Sequence, residues 1–135
     1  MRACFLILIS FVTFNANAQI NFWNNYTTSN SGIPSDNVNW VNKSQSGDLY
    51  VGTNAGLAKF DGNNWTTYST SNSNIPSNTI GKSRFDANGN LWFLCNGLTK
   101  FDGTTFTNYN SSNITLPAFT YNDLDIDQNG VVWLT

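Results

Sequence analysis

Asp123 and Asp125 stand two residues apart in a stretch rich in strand-forming residues. Alternate positions of a strand face one side, so two carboxyls placed this way could do acid–base work. At matching places upstream stand Lys82 and Arg84, and before those Trp40 and Asn42. An indole can stack on a sugar ring, while an ammonium and a guanidinium can meet an acidic group. Trp40, Asn42, Lys82, Arg84, Asp123 and Asp125 are therefore candidate ligand-binding residues. Surface drift between copies is the competing reading.

Other chemistry lacks its parts. The chain has no histidine, so the commonest general base and a common zinc ligand are missing. Its serines fall in polar stretches with no visible base partner, and Cys95 has no histidine to activate it. The stretch from Asp125 to Gly130 matches the first half of an EF-hand calcium loop, but Arg84, at the place of Asp125 in the earlier copy, would repel a cation. A strand entering an Asn-Gly hairpin explains the same residues. We expect no catalysis, no cofactor and no metal.

Something must position those six residues, and the sequence repeats. Residues 56–62 read Gly-Leu-Ala-Lys-Phe-Asp-Gly, and residues 97–103, 41 places on, read Gly-Leu-Thr-Lys-Phe-Asp-Gly. Trp23, Trp65 and Phe106 fall into the same register, as do Tyr26, Tyr68 and Tyr109, then Pro34, Pro76 and Pro117, and Tyr50, Trp92 and Trp133. The step is 42 residues, then 41, because Thr53-Asn54-Ala55-Gly56 shortens to Cys95-Asn96-Gly97. A fixed period of this length marks a repeat architecture.

Each unit divides into four strands. Short aromatic and β-branched runs alternate with Asn, Gly, Asp and Ser clusters, and helical periodicity is missing. First strands are expected at 37–43, 79–85 and 120–126, and second strands at 49–53, 91–95 and 131–135. Third strands fall at 57–60 and 98–101, fourth strands at 65–69 and 106–110. An extra outer strand is expected at 22–28. Asn88-Gly89 and Asn129-Gly130 suit two-residue hairpins with both central residues at positive φ. Four antiparallel strands every 41 to 42 residues is the period of a propeller blade. The fold class is all-β: an incomplete β-propeller over 19–135, with blades at 37–69 and 79–110 and a half blade at 120–135.

Bulk features agree. Met1-Arg2, an apolar run to Phe14, and Ala16-Asn17-Ala18 form a secretory signal peptide over 1–18. Six basic side chains against eight acidic ones give a net charge of −2, which offers no electrostatic basis for nucleic-acid or anionic-membrane binding. No second long apolar run exists, so no membrane insertion is expected within the mature segment. Cys95 is the one cysteine after Ala18, so an intrachain disulfide is excluded and a packed thiol is expected.

The set of motifs resembles the two-component regulator propeller repeat. Gly97 to Gly103 stands for its Gly-Leu-x-x-Phe-Asp-Gly element, with Phe106 as the following aromatic. Ile75-Pro76-Ser77-Asn78 stands for its connector, and Asp86-Ala87-Asn88-Gly89-Asn90-Leu91-Trp92 for its Asp-x-x-Gly-Asn-Leu-Trp element. The resemblance implies a periplasmic or extracellular sensor region of a bacterial hybrid two-component system, non-catalytic and responsive to glycans. A secreted or cell-surface adhesion propeller with a C-terminal sorting module is the alternative. Propellers close with about four to eight blades, so we expect this chain to be a fragment whose partners are the missing blades, of the same or another chain, and a glycan or other small ligand.

Overall fold

The computed structural model describes residues 24–114 and 120–135. The signal peptide expected at 1–18 and the connector residues 116–118 lie outside the described residues.

The chain forms ten strands: β1 (Val38–Lys43), β2 (Leu49–Thr53), β3 (Gly56–Phe60), β4 (Trp65–Tyr68), β5 (Ser83–Phe85), β6 (Leu91–Leu94), β7 (Leu98–Phe101), β8 (Phe106–Tyr109), β9 (Leu124–Ile126) and β10 (Val132–Leu134). They build two four-stranded sheets, ordered β1-β2-β3-β4 and β5-β6-β7-β8, and a two-stranded sheet of β9 and β10. Every pairing is antiparallel between chain neighbours. No helix occurs among the described residues. The fold is all-β, in blades of four strands, as the repeat period implies.

The sheets stack through their faces. Phe93 is wholly buried and Phe101 is 1% exposed. Tyr50 of the first blade meets Phe85 at 5.5 Å and Phe101 at 6.4 Å, between ring centres. Tyr68 meets Phe101 at 5.2 Å and Phe106 at 5.3 Å. Ile75 and Ile80, from the connector, complete this seam. Burying a ring of this size contributes about 1.5–3 kcal/mol. The seam is thus the main source of cohesion between the two full blades. Leu94, Leu98 and Leu124 begin the next seam, with Trp92, Tyr109 and Ile126 packed around them.

The connectors fasten themselves. Asn30, Asn72 and Asn113 each accept, through Oδ1, a backbone N–H three residues back, from Thr27 at 2.7 Å, Ser69 at 2.8 Å and Asn110 at 2.9 Å. Their amide groups donate to the carbonyls of Asn25, Thr67 and Asn108. Asp36 and Asn78 then accept from the N–H of Thr28 and Thr70 at 2.7 and 2.8 Å. Asn and Asp side chains suit this work because they imitate a backbone turn.

Three expectations are corrected. The outer strand expected at 22–28 is absent over its described part: residues 24–27 join no ladder and residues 28–30 form a turn. A strand needs a neighbour for its amides, and β4 already ends the first sheet. Packing survives where pairing does not. Tyr26 lies 5.7 Å from Phe60 and 5.4 Å from Trp65, the post that Tyr68 holds on the next blade.

The first strands of the second blade and of the half blade begin later than expected, at Ser83 rather than 79 and at Leu124 rather than 120. Ile80 donates to Thr53 of the first blade at 2.9 Å, while Gly81 donates to Leu94 of the second at 2.7 Å. The chain changes sheets between those two residues.

The Asn-Gly hairpins are not two-residue turns. Gly89 and Gly130 have positive φ, but Asn88 and Asn129 do not. Gly89 donates to the Asp86 carbonyl at 3.0 Å, and the Asp86 side chain accepts from the N–H groups of Asn88 and Asn90. This is the longer turn that ends on a left-handed glycine, and the carboxylate at its start selects it.

Candidate functional site

β5 lies beside β1 on one side and β9 on the other. Asn42 stands opposite Tyr50, Arg84 opposite Trp92, and Asp125 opposite Trp133. β1, β5 and β9, the first strands of the three units, therefore present matched rows, as the repeat alignment requires.

Five of the six candidates are joined across the strands. Asn42 Nδ2 donates to the Ser83 carbonyl at 3.0 Å and to Ser83 Oγ at 2.6 Å. Lys82 Nζ meets Asp123 Oδ2 at 3.0 Å. Arg84 Nε lies 3.4 Å from Asp125 Oδ1, and its Nη1 donates to the Ser83 carbonyl at 3.0 Å. Each forward-facing side chain thus reaches the next inner strand. The Lys82 and Asp123 side chains stay 56% and 43% exposed. Exposed ion pairs are screened by water and add little to stability, so these four charges sit on the surface without being needed for the fold. The Lys82 hydrogen bond, helped by the Leu124 N–H, holds the Asp123 carboxyl below the usual carboxylate range.

Trp40 is placed differently. Its indole lies over Gly52, where a Cβ would collide with the ring, and it packs against the first core seam. Its Nε1 is buried and has no hydrogen-bond partner among the described residues. One face of the ring is therefore already covered, so Trp40 does not offer both faces as a platform beside Lys82.

Asp127, in the half calcium loop, spends its oxygens on its own turn. It accepts from Asn129 N, Val131 N and Trp133 Nε1 at 2.8, 3.0 and 3.2 Å. Cys95 is buried, its Sγ 3.1 Å from the Ser77 carbonyl, and burial pushes its thiol up to about 11. A thiol in that state is not a nucleophile at neutral pH.

One feature escaped the sequence reading. A cleft of about 840 Å³ opens at the head of β5 and β9, lined by Ser77, Thr79, Asn96, Asn110, Ser112 and Tyr121 among others. Its described lining carries hydroxyls and amides and no charged group. Two sequence differences mark it. The shortened turn places Asn96 at a φ of 49°, and Tyr121 stands where the first seam has the fully buried Ile80. On its wall, Gly81 adjoins Lys82 in the chain and Tyr121 lies two residues before Asp123, so the cleft borders the Lys82–Asp123 pair.

No family model and no curated protein matches the chain. Among solved structures it is similar to the extracellular domain of the "putative hybrid two component system BT3049 from B. thetaiotaomicron". The TM-score is 0.62 at 18% sequence identity, over 82% of this chain and 22% of that one. This chain therefore spans about 22% of the length of that domain. At such identity the likeness is one of fold: the stacked four-stranded sheets of this chain are also an architecture found in an extracellular domain.

Proposed function

We propose that this chain is part of an exported, non-catalytic propeller that binds a hydroxyl-rich ligand, a glycan, for a hybrid two-component sensor. The carrying observation is the exposed pairing of Lys82 with Asp123 and Arg84 with Asp125 on adjoining inner strands. Both members of each pair keep accessible surface, so a sugar hydroxyl can accept from the cation and donate to the carboxylate at once. The neutral cleft continues that surface along the same strands. Fold likeness to an extracellular domain of a two-component system supports the setting, and the Gly-Leu-x-x-Phe-Asp-Gly repeat supports the family. Asn42, bonded to Ser83, extends the row on the first blade.

The test is titration calorimetry of the full chain against a panel of neutral and acidic oligosaccharides. Binding to at least one member is expected, and the double change Lys82→Ala with Asp123→Ala should weaken it about tenfold or more, in line with charged hydrogen bonds. The melting midpoint should stay near that of the parent chain. No binding across the panel, or binding indifferent to the double change, overturns the reading.

A further inference from the structure

We propose that Asn96 is a self-modification site, where the side-chain amide is lost to the chain's own backbone and aspartate or isoaspartate remains. The proposal stands apart from what the inner strands bind.

The reaction favours an asparagine followed by a residue without a Cβ, so that the next backbone nitrogen can close on the side chain. That nitrogen attacks Cγ, an N–C bond forms, and the Cγ–Nδ2 bond breaks. The backbone amide proton ends on the departing ammonia. Water then opens the five-membered imide at either carbonyl, leaving aspartate or isoaspartate. The sequence has three Asn-Gly pairs, Asn88-Gly89, Asn96-Gly97 and Asn129-Gly130. The matching turn of the first blade reads Asn54-Ala55-Gly56, so a Cβ crowds the nitrogen there, and Asn54 Oδ1 accepts from Asn39 Nδ2 at 2.9 Å.

The fold sets the three pairs apart. Gly89 and Gly130 donate their N–H groups to the carbonyls of Asp86 and Asp127, at 3.0 and 2.9 Å. Each nitrogen must give up that bond and lose its proton before it can attack. Each also lies in a turn wrapped round a carboxylate: Asp86 accepts from the Asn88 and Asn90 N–H groups, and Asp127 from those of Asn129 and Val131. A fixed negative charge opposes the formation of an amide anion beside it. The Gly97 N–H donates to no described residue, while its carbonyl accepts from the Cys95 N–H at 2.9 Å.

Asn96 is exposed, so water reaches it, and its side chain makes no hydrogen bond among the described residues. The cleft it borders has no charged group in its described lining. Conversion of Asn96 therefore puts a carboxylate on a wall that is otherwise neutral.

The test keeps the full chain in mildly alkaline buffer enriched in heavy-oxygen water, either folded or in urea, and follows each Asn-Gly pair by peptide mapping. In the folded chain Asn96 should convert about fivefold faster than Asn88 or Asn129, the worth of the one backbone hydrogen bond that only those two sites must break. Both aspartate and isoaspartate should appear at residue 96, each carrying one heavy oxygen from the opened imide. In urea the three rates should draw level, because the bonds that separate them are gone. Conversion of Asn96 in the folded chain no faster than that of the other two overturns the proposal. So does the same ranking persisting undiminished in urea, which would assign the difference to local sequence rather than to the fold.

Discussion

Phe101 stacks on Phe106 with ring centres 4.2 Å apart and planes 14° from parallel. Tyr68 of the preceding blade meets both rings. One strand pair and one seam therefore share a single aromatic contact. Phe101→Ala removes it and should cost about 3–5 kcal/mol, the range for emptying a buried aromatic site. Chemical denaturation of the full chain measures this. Trp65→Ala, on the half-covered outer face of the first blade, should cost less.

Gly97 and Gly89 separate two causes of strain. Both have positive φ, 112° and 82°. A Cβ on Gly89 meets nothing within 4 Å, while one on Gly97 would lie 2.6 Å from the Tyr109 carbonyl oxygen. Gly89→Ala should cost about 1–2 kcal/mol, the left-handed backbone penalty alone. Gly97→Ala should cost clearly more in the same denaturation experiment.

Acid should loosen the blades. Burial of Asp86 opposes its ionisation, but the Trp92 indole and the Asn90 donors outweigh it and hold the carboxyl below the usual range. Asp61 and Asp102 are lowered too, by the Asn64 and Thr105 N–H groups foremost. A carboxyl lowered in the folded state contributes stability above its unfolded value of about 3.9 and loses it as pH falls through the folded value. Stability should hold from neutral pH to about 5 and decline below about 4. In Asp86→Asn the decline should be shallower, read as melting midpoint against pH.

The Cys95 thiol should be silent. Its value of about 11 and its burial together predict that a disulfide reagent at pH 8 modifies the folded chain at least ~100-fold more slowly than the denatured chain. Comparable rates in the two states would show that the β6–β7 turn opens readily.

Much of this architecture was legible because repetition exposes it. Six matching residues around Phe60 and Phe101 locate two third strands at once, and one alternating run cannot do that. Misjudgements came where a side chain decided the backbone. Asn88-Gly89 suggests a two-residue turn until the Asp86 carboxylate is seen capping it. Tyr26 reads as a strand residue because it falls in register with Tyr68, yet the match secures only its ring contacts and supplies no ladder partner. The inner-strand residues align as the repeat requires. That Lys82 and Arg84 would each meet an aspartate on the next strand was invisible, because pairing between blades depends on how the sheets stack. The cleft was hidden for the same reason: its walls come from segments far apart in the chain.

The self-fastened connectors carry a consequence for how such a chain can vary. The clasp formed by Asn72 closes on Thr67 and Ser69, and that of Asn113 on Asn108 and Asn110. Both clasps bond back to the strand they leave, while further along the first connector the Asn74 and Ser77 carbonyls accept from Asn108 Nδ2 and Cys95 Sγ of the blade it leads to. A bend can therefore keep its shape when a unit is inserted or removed, provided the unit that follows supplies donors in the places of Asn108 and Cys95.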